Sequence, residues 1–214
     1  QQFFAYFGEV MQDRRANPRD DLATVIAQGT VDGEPVGMLE AISYYAITVT
    51  AGHDTTSSTA SGGLLALAQN PEQLAKLKAD PSLIPNAVEE MLRFTPSVVG
   101  WRRKARTAAV VGGVELPAGA EILMITGSAN RDKTQFPDGE KLDLTRTNAR
   151  THLSFGYGIH YCLGFQLAKM EAAELFKQLA ERFPDLQLVD GFEPEYHRNL
   201  GFRVPNSVMV ETGQ

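Results

Sequence analysis

The sequence predicts a mainly α-helical fold with small antiparallel β-sheets, and three observations lead to this class. Of the 214 residues, 43% are hydrophobic, which is the composition of an ordinary globular core. Most of the chain divides into long segments that begin or end at Asn, Pro or Gly, as helices do. Short apolar runs between turn residues occur around residues 98–126 and in the C-terminal tail, and they are typical of strands.

The first helices are predicted from the polar breaks that separate them. Residues 2–16 form one helix, and a short helix that carries Leu22, Val25 and Ile26 follows a polar linker. After the break "TVDGEP" a long helix runs from about residue 38 to residue 69. Its centre, "AGHDTTSSTASGG", is poor in helix-forming residues, so we expect packing to hold it and a local distortion to be possible.

The second half continues with helices on either side of a strand region. Asn70 and Pro71 start a helix in the preferred cap and first-turn positions, and "NAVEEMLRF" after Pro85 forms the next one. Strands are expected in "VVGW" and "AVVGGVELPAGAEILMI", with turns at the Gly pair and at Pro-Ala-Gly. An irregular meander at 127–151, an amphipathic helix at 163–183 and short strands in the tail complete the prediction.

Composition excludes several classes of function and compartment. A net charge of -6 and a pI near 5.3 argue against binding to nucleic acid, which requires clustered Lys and Arg. The longest apolar stretch, residues 38–51, is interrupted by polar side chains and is shorter than the ~20 residues that span a membrane. A single cysteine excludes an internal disulfide framework and favours the cytoplasm. The N-terminus has no secretory signal and no initiator Met, so we expect the chain to begin inside a larger protein.

The only thiol, Cys162, lies in the glycine-rich stretch "FGYGIHYCLG" just before a predicted helix. The positive end of a helix dipole favours a thiolate, which is a metal ligand or a nucleophile. A nucleophile needs a base, but His160 is two residues away in an extended loop and points elsewhere, which leaves His152 as the other candidate. A structural zinc site lacks its CxxC pair, and a nucleotide loop lacks the required glycine. An axial ligand to a planar metal cofactor explains more of the loop, because Gly164 leaves room for a flat group.

This loop resembles the haem-binding signature of the cytochrome P450 family, F-G-x-G-x-[HR]-x-C-x-G. The six specified positions are all matched, by Phe155, Gly156, Gly158, His160, Cys162 and Gly164. Chance agreement at about 5% for each position is on the order of 10⁻⁸ per window. The resemblance implies that Cys162 is the thiolate ligand of haem b, protoporphyrin IX iron.

The weak centre of the long helix resembles the A-G-x-D-T-T motif of the same family. Thr48, Ala51 and Thr55 share one helix face, and the Thr55 hydroxyl could bond back to the carbonyl of Ala51 and open the turn. The resemblance implies that Asp54 and Thr55 are the catalytic residues, which deliver protons while dioxygen is activated.

Further cofactor and structural residues follow from the resemblance. Glu90 and Arg93 match the family's Glu-x-x-Arg, a structural ion pair for which Arg146 is the expected third member. Cations are expected at the haem propionates because guanidinium and imidazolium groups pair with carboxylates. The expected cofactor-binding residues are Cys162, Arg103, His152, His160, Phe155, Gly156, Gly164 and Ala51, with Cys162 as the metal ligand.

The expected substrate contacts are mostly small or aliphatic, which favours a compact apolar molecule. They are Thr48, Ala51, Val98, Val99 and Leu200. The sequence of the long helix is most similar to soluble bacterial members that act on terpenes. This resemblance implies a haem-thiolate monooxygenase that uses dioxygen and electrons from a ferredoxin or flavodoxin.

The resemblance implies that the chain is the C-terminal half of the cytochrome P450 fold. This half comprises the long distal helix, the Glu-x-x-Arg helix, the meander, the Cys-ligand loop and the proximal helix. We therefore expect residues 1–214 to be a single haem-binding domain that lacks its N-terminal half. Two alternatives remain open from the sequence. They are a non-catalytic haem-binding or sensor module and a Cys-dependent hydrolase.

Overall fold

The structure is a computed structural model that describes residues 2–183 and 185–213. Its α-helices are α1 (Gln2–Ala16), α2 (Leu22–Ala27), α3 (Met38–Gln69), α4 (Pro71–Ala79), α5 (Ile84–Phe94), α6 (Thr126–Ala129) and α7 (Phe165–Arg182). Its strands are β1 (Thr30–Val31), β2 (Glu34–Pro35), β3 (Trp101–Lys104), β4 (Ala109–Val111), β5 (Val114–Leu116), β6 (Glu121–Met124), β7 (Gln187–Leu188) and β8 (Val210–Glu211). They pair as four two-stranded antiparallel sheets, so the predicted fold class is confirmed.

The chain divides into two compact units, and residues 1–54 form the first. Its core is a small apolar cluster around the stacked rings of Phe7 and Tyr45, whose centroids lie 5.4 Å apart. Arg15 donates to the carbonyls of Ala27 and Val36, which ties α1 to the hairpin region. Asp21 caps α2 by accepting the backbone N–H of Thr24. Hydrogen bonds from Thr24 lower the pKa of Asp21 to about 2.

The second unit, residues 55–214, contains the larger apolar core. Buried residues of α4, α5 and α7 meet there with the C-terminal part of α3. Gly63 of α3 allows close packing, because a Cβ at this position would lie 2.3 Å from the Phe176 ring of α7. Helix α5 buries Glu90 and Arg93 completely, so two charges lie inside this unit and need partners there.

The strand region differs from the sequence prediction at its start. The strand expected in "VVGW" begins only at Trp101, where β3 pairs with β6 and Arg103 lies opposite Ile122. Val98 and Val99 instead pair with the C-terminal tail, through a bridge to Phe202 and a bond from the Val99 N–H to the carbonyl of Gly201. The physical reason is that Pro96 cannot donate to a ladder, so the chain leaves α5 as an irregular segment.

Other boundaries agree closely with the prediction. The long helix was expected at 38–69 and α3 spans Met38–Gln69. Helix α7 begins at Phe165, two residues after the predicted start, because Gly164 occupies the cap position with φ of -86°. In the described part of the chain, no helix is long and apolar enough to cross a membrane.

Candidate active site

Hydrogen bonds within the chain shape the loop around Cys162 into a compact turn. The Cys162 N–H donates to the carbonyl of Phe155 at 2.9 Å, and the Tyr161 N–H donates to the carbonyl of Gly158 at 3.0 Å. Gly156 and Gly158 have φ values of 77° and 69°, which a side chain would strain. The two positive-φ glycines therefore let the loop fold back and bring the cysteine beside the start of α7.

The outer face of this loop is apolar and open. Ile159 and Leu163 are 98% and 99% exposed, and a Cβ at Gly164 would meet no atom within 4 Å. Exposure of aliphatic side chains to water is unfavourable. Beside a half-buried thiol, such side chains fit the face of a flat apolar ring. Among the described residues, no group of three His, Cys, Asp or Glu side chains is placed to hold a metal ion. The exposed apolar face and the half-buried thiol beside it fit a flat apolar cofactor such as haem.

Aromatic side chains hold the inner face of the loop against α7. The rings of Phe155, Tyr161 and Phe165 pack edge to face or tilted, with centroids 5.1–6.3 Å apart. The ammonium of Lys169 lies 5.7 Å from the Phe155 ring centroid and 5.4 Å from that of Phe165. These contacts support the loop from the side of α7, and cofactor binding by Phe155 stays a prediction.

His152 is bonded to protein groups on both ring nitrogens. Its Nδ1 accepts the Ser154 N–H at 3.1 Å, so the proton lies on Nε2, which donates to Glu89 at 3.2 Å. Lys169 also donates to Glu89, at 2.6 Å. Burial raises the pKa of Glu89, but the bonds from His152 and Lys169 outweigh it, and the pKa lies below its usual range. Propionate binding by His152 stays a prediction, and a propionate would compete with Glu89 for Nε2.

The other expected propionate cations lie at the surface. His160 is exposed in the loop, two residues before the cysteine. Arg103 is exposed on β3, where its Nη1 donates to the carbonyl of Arg102. Both side chains are accessible to an anionic group, and their roles remain predictions.

The structure brings together the three side chains that were expected to form an ion-pair network. Glu90 accepts Nε and Nη2 of Arg93 at 2.7 and 2.8 Å, and it accepts Nε of Arg146 at 3.1 Å. The remaining donors of Arg93 reach the carbonyls of Asn130, Gly139 and Lys141. The buried guanidinium therefore uses all of its N–H donors, which is the condition for burying such a charge.

Asn130, which sequence reasoning missed, connects this network to the cysteine loop. It is fully buried, its amide donates to the Arg93 carbonyl and to Ser154 Oγ, and its side-chain oxygen accepts the Leu153 N–H. Ser154 in turn donates to the carbonyl of Leu92 at 2.6 Å. The chain just before Phe155 is thus fixed to the C-terminal end of α5. Asn130 lies in the irregular meander, where no periodicity marks it.

The two predicted catalytic residues, Asp54 and Thr55, are neighbours in the chain and are assigned to different units. In the first unit Thr48 donates to the carbonyl of Tyr44, and Asp54 is 75% exposed with its carboxylate 4.0 Å from Nε2 of His53. Ala51 is exposed on the same helix. The second unit begins with Thr55, which is half-buried.

Three of the expected substrate residues are in the second unit. Val98 and Val99 are half-buried on the segment that pairs with the tail. Leu200 is 93% exposed and directly precedes Gly201, whose carbonyl accepts the Val99 N–H. The tail therefore brings Leu200 close to the two valines, while Thr48 and Ala51 belong to the other unit.

Comparison with known proteins gives many matches of one kind. The profile of the cytochrome P450 family matches residues 1–207. Cytochrome P450-terp from a Pseudomonas species is 40% identical over 87% of this chain, and a steroid C26-monooxygenase from Mycobacterium tuberculosis is 40% identical over 82%. The solved structure of CYP108D1 from Novosphingobium aromaticivorans is 41% identical, with a TM-score of 0.89 over 97% of this chain.

The matches cover this chain almost completely and the known proteins only in part. The chain spans 43% and 47% of the two relatives and 50% of the solved structure, which is about half of their length. The members of this family bind haem b, the cofactor that the open loop beside Cys162 fits. On the family profile, the identities and the shared fold, the chain belongs to the cytochrome P450 family.

Proposed function

We propose that the protein containing this chain is a haem-thiolate monooxygenase, which inserts one oxygen atom of dioxygen into a C–H bond of a small apolar substrate. The observation that carries the proposal is the half-buried thiol of Cys162 in a folded-back glycine loop, next to the fully exposed Leu163. Family membership supports the same reaction class. In the balanced reaction, the substrate, dioxygen, two electrons and two protons give the alcohol and water.

Each group of residues has a separate role in this proposal. The Cys162 sulfur would hold the iron, and His160, Arg103 and His152 would face the propionates. The haem supplies the binding and reductive activation of dioxygen when it is bound. The chain must then supply two protons, and Asp54 and Thr55 are the proposed donors because a carboxylate and a hydroxyl can pass protons from solvent. The 75% exposure of Asp54 in this unit supports contact with water.

The substrate is proposed to be small and apolar, terpenoids included. The residues proposed to contact it are Thr48, Ala51, Val98, Val99 and Leu200, most of which offer only methyl groups. The names of the relatives P450-terp and steroid C26-monooxygenase are in keeping with an apolar substrate. We further propose that a ferredoxin or flavodoxin supplies the electrons and that the protein works in the cytoplasm.

The decisive experiment is the spectrum of the reduced, carbon-monoxide-treated, full-length protein. Thiolate ligation predicts a strongly red-shifted Soret band that Cys162→Ala abolishes. The matched control is Ser61→Ala, a half-buried position on α3 whose hydroxyl donates to the carbonyls of Ser57 and Ser58 in the same helix. A wild-type protein without the band, or a band that survives in Cys162→Ala, would reject the proposal.

A second measurement separates a monooxygenase from the two alternatives. With a redox partner, Thr55→Ala should keep the spectrum but direct electrons into peroxide or water in place of product. A sensor module forms no product with any partner, and a Cys hydrolase is colourless and is inactivated by iodoacetamide. Product formation that depends on Thr55 would therefore exclude both.

A further inference from the structure

Two side-chain hydroxyls lie within hydrogen-bond distance of the main-chain carbonyl of Thr55. Ser97 Oγ donates to it at 2.8 Å, and Thr59 Oγ1 lies 3.0 Å from it. The two hydroxyls are also 2.9 Å from each other. A carbonyl inside an α-helix already accepts the amide N–H of the residue four positions later. The two hydroxyls are therefore additional donors at this oxygen, which other helix carbonyls do not require. The cluster therefore marks one special turn of α3, at the residue proposed to deliver protons.

Burial makes the cluster a fixed structural feature. Ser97 and Thr59 are each 8% exposed, so water cannot replace a lost partner easily. The two hydroxyls have two hydrogens for three contacts, so either both donate to the Thr55 carbonyl or one of them donates to the other hydroxyl. Removing Ser97 Oγ would therefore change the hydrogen bonding of both Thr59 and the Thr55 carbonyl.

Ser97 comes from a segment that is itself well fixed. Its carbonyl accepts the Arg203 N–H at 3.0 Å, and the next residue, Val98, forms a bridge with Phe202. The same segment continues into Val99, which was proposed above to contact substrate. Ser97 is the residue by which this segment bonds to the backbone of α3 at Thr55.

We propose that Ser97 is a positioning residue, which fixes the Thr55 main chain relative to the substrate-contact segment Val98–Val99. This inference rests on the proposed function, because it assigns a purpose to the position of Thr55. The sequence around Thr55 is rich in Thr and Ser, which are weak helix formers, and bonding of the Thr59 hydroxyl back to Thr55 further weakens this turn. The hydrogen bond from Ser97, which lies outside the helix, therefore fixes the position of the Thr55 main chain and, with it, of the Thr55 hydroxyl. A movement of Val98 and Val99 would shift Thr55 through the same bond.

The first test measures amide hydrogen exchange in the full-length, haem-loaded protein. Ser97→Ala should speed exchange at the Thr59 amide, whose acceptor is the Thr55 carbonyl, by about fivefold, the factor expected for one hydrogen bond. The control is Ser43→Ala, because Ser43 Oγ forms a bond of the same 2.8 Å length to Leu39 at an exposed position of α3. Unchanged exchange in Ser97→Ala would overturn the inference.

The second test measures the fraction of electrons recovered as product. Ser97→Ala should lower this coupling several-fold with an unchanged thiolate spectrum, while Ser43→Ala remains at the wild-type value. If Thr55→Ala uncouples the reaction and Ser97→Ala does not, the positioning role is wrong and the proposed function stands. If Thr55→Ala has no effect on coupling, the catalytic role of Thr55 itself is wrong.

A matched pair covers the case in which Ser97→Ala folds poorly. The side chains introduced by Ser97→Thr and Ser97→Val have nearly the same shape. They differ because the first has a hydroxyl where the second has a methyl group. We expect Ser97→Thr to keep slow exchange at Thr59 and high coupling, and Ser97→Val to lose both. Equal values in the two variants would overturn the proposal.

Discussion

Replacing Glu90 by glutamine tests the buried network that underlies the cysteine loop. Glu90→Gln keeps the shape of the side chain but removes its charge and turns one carboxylate oxygen into an NH₂ donor. Whichever way the amide lies, that donor faces guanidinium N–H groups, because Arg93 and Arg146 both donate to this carboxylate. Arg93 is fully buried, so its charge would lose the buried carboxylate that pairs with it.

The size of the effect follows from the burial of both partners. Breaking a buried ion pair by removing one charge costs about 3–5 kcal/mol, because the remaining charge stays desolvated. The carbonyls of Asn130, Gly139 and Lys141 still accept from Arg93, so we expect the lower end, about 3 kcal/mol. This is about a hundredfold change in the folding equilibrium, a large part of the stability of a domain.

Urea denaturation at neutral pH, followed by circular dichroism of the full-length protein, measures this loss directly. The control is Glu171→Gln, an exposed residue of α7, which should change the free energy of unfolding by no more than about 0.5 kcal/mol. A loss below about 1 kcal/mol in Glu90→Gln would refute the reasoning, since the buried guanidinium would then not depend on its carboxylate.

Two further predictions concern packing and pH. Gly63→Ala should lower the free energy of unfolding by about 2 kcal/mol, because the added Cβ would overlap the Phe176 ring. Gly62→Ala is the control and should lower it less, because a Cβ at Gly62 would lie 3.2 Å from Thr95, a milder contact. Equal thermal midpoints in the two variants would contradict this. Glu89 has a lowered pKa when folded, so its contribution is present at neutral pH and lost as acid protonates it. The stability gap between wild type and Glu89→Gln should therefore shrink on acidification, and a constant gap from pH 7 to low pH would contradict the assignment.

Helix positions and the cysteine loop could be read from sequence because local signals specify them. Asn70 and Pro71 mark the start of α4, and the helix begins at Pro71. Gly156 and Gly158 belong to the glycine-rich stretch before Cys162, and both have positive φ. These properties depend on residues next to each other in the chain, so a single sequence contains the necessary information.

The partners of these elements depend on distant residues and could not be predicted. Ser97 and the Thr55 carbonyl are 42 positions apart, and nothing in "TPSVV" distinguishes this hydroxyl from its neighbours. Helix α7 carries three basic residues, Lys169, Lys177 and Arg182, and nothing in the local sequence indicates that Lys169 is the one that lies 2.6 Å from the Glu89 carboxylate. Val98 and Val99 took the tail as their pairing partner because the fold placed it beside them. Tertiary packing decides all three.

The two faces of the cysteine loop are built for different purposes. On the inner side, Asn130 and Ser154 bond the approach to the loop to the last turn of α5, where each buried polar group has a partner. On the outer side, Ile159 and Leu163 are almost completely exposed and add nothing to the packing of this unit. Stability and ligand contact are thus assigned to separate residues. Because the inner bonds fix the backbone that precedes Phe155, the outer residues and Cys162 are left to contact what binds there.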